Sequence, residues 1–156
     1  MFNITLSGRE YRIIFTHLIR PTSKQESPGT ICRIIDITDV PEEKVLIKDK
    51  NGKSITDIDG NLIWRTVKKT DSAPIKSEWK SSIHPNDKFN RSLGRKAALA
   101  KSLVRIDRVT RERIEVFNKI ERTLIWNKYR VIETEKTVQK LQSKLEKKLE
   151  DLQISR

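Results

Sequence analysis

The chain has 156 residues, 35% hydrophobic and 35% charged, with a formal net charge of +12 and a pI near 10. That balance disfavours one large apolar core and points to a small domain joined to an extended element. The positive charge calls for a polyanionic partner, whether a nucleotide, RNA, DNA or an acidic protein surface.

No stretch reaches the roughly eighteen apolar residues of a membrane span, and Met1 opens no signal-peptide pattern, so a soluble cytoplasmic protein is expected, in the host cytoplasm if the source is viral. The single cysteine, Cys32, has no disulfide partner and no metal-ligand partner by spacing; it reads as a small buried hydrophobe.

Phe2 to Leu6 alternate apolar and polar, Ser7 and Gly8 supply a tight turn, and Tyr11, Ile13, Phe15 and His17 continue the alternation. This predicts a β-hairpin. Its second strand also carries Ile14 and Leu18 on the opposite face, which makes it internal to a sheet, with His17 as a hydrogen-bonded wall residue. Ile19 to Gly29, with Pro21 and Pro28, reads as a loop. Thr30 to Ile37 is a third strand interrupted by Arg33, which is either a ligand contact or an edge-strand guard. Asp36, Asp39, Glu42 and Glu43 lack the spacing that would enforce a cation site.

From Val45, turns at Asn51-Gly52 and Asp59-Gly60 divide alternating segments into a β-meander that either extends the first sheet or projects as a ribbon. A further strand spans Ile75 to Ile83, with Trp79 at its centre. Trp64 and Trp79 read as core side chains more readily than as base-stacking platforms.

The stretch from Ser81 to Val104 carries most of the chemistry. Pro85 sets a rigid entry, Asn86 or Asp87 caps a helix, and Phe89, Leu93, Ala97, Ala100 and Val104 form an apolar stripe. Lys88, Arg91 and Arg95 line another face close to the helix start. There the amide dipoles also favour an anion, so the face is either a phosphate site or an ordinary solvated basic face. Gly94 within a helix marks a close approach, by packing before ligand.

Beyond Gly94 no breaker interrupts the helical pattern, although Asp107 or Thr110 offers a cap where the helix can bend. Without a bend, a helix from Thr110 to Leu152 spans on the order of 60 Å. Val131, Thr134, Val138, Leu141, Leu145, Leu149 and Leu152 form a seam close to a heptad repeat. A small domain cannot cover such a seam, so 131–152 calls for a homo-oligomer or a helical partner. The expected fold is α+β: an antiparallel sheet and meander over 1–83, then a basic helix and long helical stalk over 84–156.

Catalytic signatures are missing: there is no Gly-rich phosphate loop, nucleophile elbow or helix-borne histidine pair, and no cofactor is called for. His84 beside Asp87 is the nearest approach to an acid–base pair, and Asp87 is more simply a cap. The chain is expected to bind and not to catalyse.

His84-Pro85, Asp87, Phe89, Gly94-Arg95-Lys96 and the alanine-rich helix, together with Phe15, His17, Thr30 and Cys32, resemble small proteins carried by bacteriophages. Among them the chain is similar to the Thoeris-antagonist sponge family. The resemblance covers the hairpin and the His84 to Leu103 block, leaving out Val45 to Thr70 and the stalk. It implies an oligomer of antiparallel sheet and C-terminal helices that sequesters cyclic nucleotide signals without cleaving them.

Three functions fit these residues. In the first, an anti-defence protein captures an anionic nucleotide: Arg91, Arg95 and Lys88 meet phosphate, Phe89 and Phe15 pack a base, and His84, Asn86 or Asn90 read polar edges. In the second, Lys101, Arg105, Arg108, Arg111 and Arg113 extend the cations into a track that grips the RNA or DNA of a defence ribonucleoprotein such as a CRISPR effector. In the third, the chain is a scaffold whose charge serves only solvation.

Overall fold

The computed structural model describes residues 1–19, 27–83, 87–107 and 109–155. The architecture is α+β, an antiparallel sheet followed by a long C-terminal helix. Two compact units divide the chain: 3–116 with Met1, and 117 onward with Phe2. The division therefore falls well after the residue 83 boundary expected from sequence, because the first helix packs onto the sheet and belongs to the first unit.

In that unit β1 (Phe2–Leu6), β2 (Arg9–Leu18), β3 (Gly29–Asp36) and β6 (Ile75–Ser82) form a four-stranded sheet in the order β1-β2-β3-β6. The first turn uses positive φ at Ser7 (50°) and Gly8 (76°), the primed geometry that matches strand twist. Antiparallel pairing of β2, β3 and β6 aligns three rows across the sheet: Ile13–Ile34–Ser77, Phe15–Cys32–Trp79 and His17–Thr30–Ser81. Arg33 stands on the internal strand β3 and pairs with Glu78 on β6, which removes the edge-guard reading.

β4 (Glu42–Leu46) and β5 (Trp64–Lys68) form a separate two-stranded ribbon, so the expected meander projects and does not extend the sheet. Beyond the ribbon the amides of Ile47, Ile55 and Ile63 donate to the carbonyls of Ile63, Ile47 and Ile55, closing a ring. From it issue two short arms, bridged at Lys48–Ser54 and Thr56–Leu62. Each arm ends in the same device: Asp49 Oδ1 accepts from the amides of Asn51 and Lys53, and Asp57 Oδ1 from those of Asp59 and Asn61, with Gly52 and Gly60 at positive φ. The underlying eight-residue repeat is plain in the sequence, Asp49-Lys-Asn-Gly against Asp57-Ile-Asp-Gly, once searched for as a repeat. Trp64 on this ribbon is 52% exposed, so the core assignment fails for it.

The helix α1 (Arg91–Leu103) starts later than expected, capped by Asn90, whose Oδ1 accepts from the Leu93 amide at 3.1 Å. Pro85 and Asn86 lie outside the described residues, and Asp87 stands before the helix. Its buried face is Gly94, Ala98, Leu99, Ser102 and Leu103, not the stripe of Phe89, Leu93, Ala97 and Ala100 that spacing suggested. Small residues win because α1 lies very close to β3: a Cβ at Gly94 would overlap Thr30 Oγ1. Ser102 fastens the far end, its Oγ donating to the carbonyls of Ala98 (2.8 Å) and Cys32 (3.3 Å) while its own carbonyl accepts from Ser77 Oγ (2.7 Å).

The helical run then breaks, contrary to expectation. Val104–Ile106 (β7) and Arg113–Glu115 (β8) pair as a hairpin. Asp107 turns the chain by accepting from the amides of Val109 (2.8 Å) and Thr110 (2.9 Å), and Arg111 takes positive φ at 60°. Those amides, Thr110's foremost, hold the Asp107 carboxyl below the usual carboxylate range.

The second unit is α2 (Lys119–Ile154), a helix of 36 residues. It opens on a reciprocal capping box, Asn118 Oδ1 accepting from the Glu121 amide and Glu121 Oε1 from the Asn118 amide. The start therefore lies nine residues after the Thr110 expected from sequence, which passed over the Asn-x-x-Glu signal. Ile125 and Tyr129 are its buried residues. No helix of the chain is long and apolar enough to cross a membrane, among the described residues.

Candidate functional site

The row His17–Thr30–Ser81 runs across the sheet beside the first turn of α1, and the candidate site grows from it. Thr30 is fully buried, and its Oγ1 lies 2.9 Å from His17 Nδ1. On the other side of the ring Arg95 Nη1 lies 3.5 Å from His17 Nε2. A guanidinium only donates, so Nε2 is the acceptor and the proton of the neutral imidazole sits on Nδ1, donating to Thr30. Phe89 meets the same ring edge-on, with centroids 5.7 Å apart.

Burial, joined by the positive charges of Arg95 and Arg91, pushes the His17 pKa below its ordinary value. The folded state thus prefers neutral His17, and the unfolded chain binds more protons at mildly acidic pH. His17 therefore contributes stability that is fully present above about pH 6.5, the ordinary histidine value, and lost as pH falls below it. A His17→Gln variant is expected to flatten the decline in melting temperature between about pH 7 and pH 5. An unchanged slope in differential scanning calorimetry would show that His17 is not linked to folding.

Next to this cluster a cleft of about 500 Å³ opens between the end of β6 and the start of α1. Ser81, Ser82 and Asn90 supply polar groups, Ile83, Phe89, Leu93 and Ala97 an apolar wall, and Asp87 and Lys88 one charge of each sign. Gly94 also lines it, so one glycine serves both the packing on Thr30 and the floor of the cleft.

Of the residues expected to bind ligand, Lys88, Phe89 and Asn90 come together in this cleft. Arg91 and Arg95 stand on the first turns of α1, Arg91 exposed and Arg95 half-buried toward His17, and neither lines the cleft wall. Lys88 precedes the helix and so does not share a helical face with them. His84 and Asn86 lie outside the described residues. Asn90 Oδ1 is already engaged as the helix cap. Phe15 stands one row away, opposite Cys32. Sequence reasoning missed Ser81, Ser82 and Ile83, because a strand end joins a helix start here only through the fold.

The expected basic track is not continuous. Lys101 is on the last turn of α1, Arg105 on β7, Arg111 in the turn and Arg113 on β8, while Arg108 lies outside the described residues. Arg105 faces Ile114 and Arg113 faces Ile106 across the hairpin. Neighbouring positions on a strand alternate sides, so these two arginines point to opposite faces.

Cys32 is fully buried, and burial pushes its thiol pKa up to about 11, against the opposing hydrogen bond from Ser102. It stays protonated and inert at neutral pH. Compared with protein family models, curated proteins and solved structures, the chain matches none.

Proposed function

We propose that this chain captures an anionic nucleotide and holds it without chemical change, in the manner of the phage anti-defence sponges that its sequence resembles. The cleft at the start of α1 carries the reading. Its volume of about 500 Å³ lies within the range of small-ligand sites, roughly 300–1,000 Å³. Phe89 and Leu93 offer apolar surface to a base, Ser81 and Ser82 offer hydroxyls, and Lys88 supplies positive charge at the wall. Arg91 and Arg95, on the first turns of α1 beside the cleft, add positive charge to the local field. The protonated Cys32 and a histidine engaged on both ring nitrogens favour binding over turnover.

The test is isothermal titration with a panel of cyclic mono- and dinucleotides. A binder is expected, weakened at least tenfold by Lys88→Glu, since a hydrogen bond to a charged group contributes about 1.5–3 kcal/mol. Arg105→Glu, remote from the cleft, is expected to leave affinity unchanged. No binding to any member of the panel would overturn the proposal. Binding to RNA with a steep salt dependence, reduced by Arg105→Glu and not by Lys88→Glu, would move the function to a nucleic-acid grip. The same titration followed by NMR has a second signature: an anion that neutralises Arg91 and Arg95 raises the His17 pKa toward its ordinary value.

A further inference from the structure

We infer that α2 pairs with α2 of a second copy of this chain, parallel and in register, as a two-stranded coiled coil. Leu124, Val131, Val138, Leu145 and Leu152 recur at seven-residue steps, and each is between 47% and 62% exposed. Seven residues are nearly two helical turns, so these five side chains make one continuous stripe that the chain itself leaves open.

The second position of the repeat, three residues on, holds Asn127, Thr134, Leu141 and Lys148. That asymmetry decides the orientation. In a parallel pair each residue meets its own copy, so the first-position layers are apolar throughout and the polar layers of Asn127 and Thr134 meet each other. In an antiparallel pair first positions face second positions, and a valine or leucine is set against Asn127 or Thr134.

Lys148 conflicts with an apolar seam, but the spacing of Leu141, Leu145, Leu149 and Leu152 removes the conflict. Steps of four, four and three insert a stutter, which locally unwinds the supercoil and turns Leu149 into the seam in place of Lys148. Flanking charge agrees. Arg130 and Glu135 occupy the positions, five residues apart, that face each other across a parallel dimer, giving two symmetry-related pairs of opposite sign. Val131 and Val138 are β-branched at the first position, the choice that favours two strands.

Sedimentation equilibrium of the full chain is expected to give a dimer, and Val138→Asp with Leu145→Asp to give monomer. Arg130→Glu is expected to weaken the dimer and Arg130→Glu with Glu135→Arg to restore it, a pattern that loss of folding cannot imitate. Mild oxidation should link Val138→Cys to itself across the pair and leave Gln139→Cys, off the seam, unlinked; buried Cys32 does not compete. A wild-type monomer or trimer overturns the inference. So does a dimer in which Val138→Cys fails to link.

Discussion

Leu99→Ala is expected to destabilise the protein by about 2–5 kcal/mol, while Leu93→Ala shifts stability by no more than about 0.5 kcal/mol. Both leucines sit on α1, and the apolar stripe expected from sequence contained Leu93 and not Leu99. Leu99 is fully buried and Leu93 is 63% exposed. Truncating Leu99 removes buried methyl groups and leaves a cavity between α1 and the sheet, so the cost has both a transfer and a cavity part. Truncating Leu93 takes surface from the wall of the cleft and is expected to act on ligand affinity instead. Urea denaturation of the two variants checks the pair. Equal losses would mean that α1 is rotated relative to its described orientation.

Gly94→Val is the second large effect, at roughly 3 kcal/mol or more, toward the upper end of what overpacking costs. The added Cβ falls on Thr30 Oγ1, and Thr30 is fully buried with that oxygen held against His17 Nδ1. A β-branched threonine has few rotamers to retreat into. Relief requires α1 to move off β3 or Thr30 to release His17. Gly94→Ala is a milder form, since alanine's helix propensity returns about 1 kcal/mol of the steric loss. Combining Gly94→Ala with Thr30→Ala is expected to cost clearly less than the sum of the single changes, because the second removes the atom the first collides with. Strict additivity in denaturant melts would show that the two residues do not meet.

The strands were legible because their signals are local. Alternation in Phe2 to Leu6 and in Tyr11 to His17, the Ser7-Gly8 turn and the β-branched run from Thr30 each specify backbone conformation within a few residues. The open seam of α2 was legible for the same reason: a helix exposes its periodicity in its own sequence. Only part of the candidate site could be read this way. Lys88, Phe89 and Asn90 drew notice as a cation, an aromatic ring and a reader of polar edges, but the strand end that completes the cleft lies next to them only through the β3–β6 register and the packing of α1.

The break after Leu103 shows where local reading stops. Val104 to Ile106 suit a strand as well as a helix, and no glycine or proline marks the boundary. Asp107, read as a cap at a bend, instead gathers the amides of a hairpin turn, and the backbone after Leu103 finds β8 and not another helical turn as its hydrogen-bond partner. Composition, periodicity and turn chemistry thus determined the class of the fold, the strands of its main sheet and its exposed helical seam. Tertiary structure alone decided which face of α1 is buried, because at Gly94 and Ala98 closeness to the sheet outweighs side-chain size, and closeness is not written in any single segment.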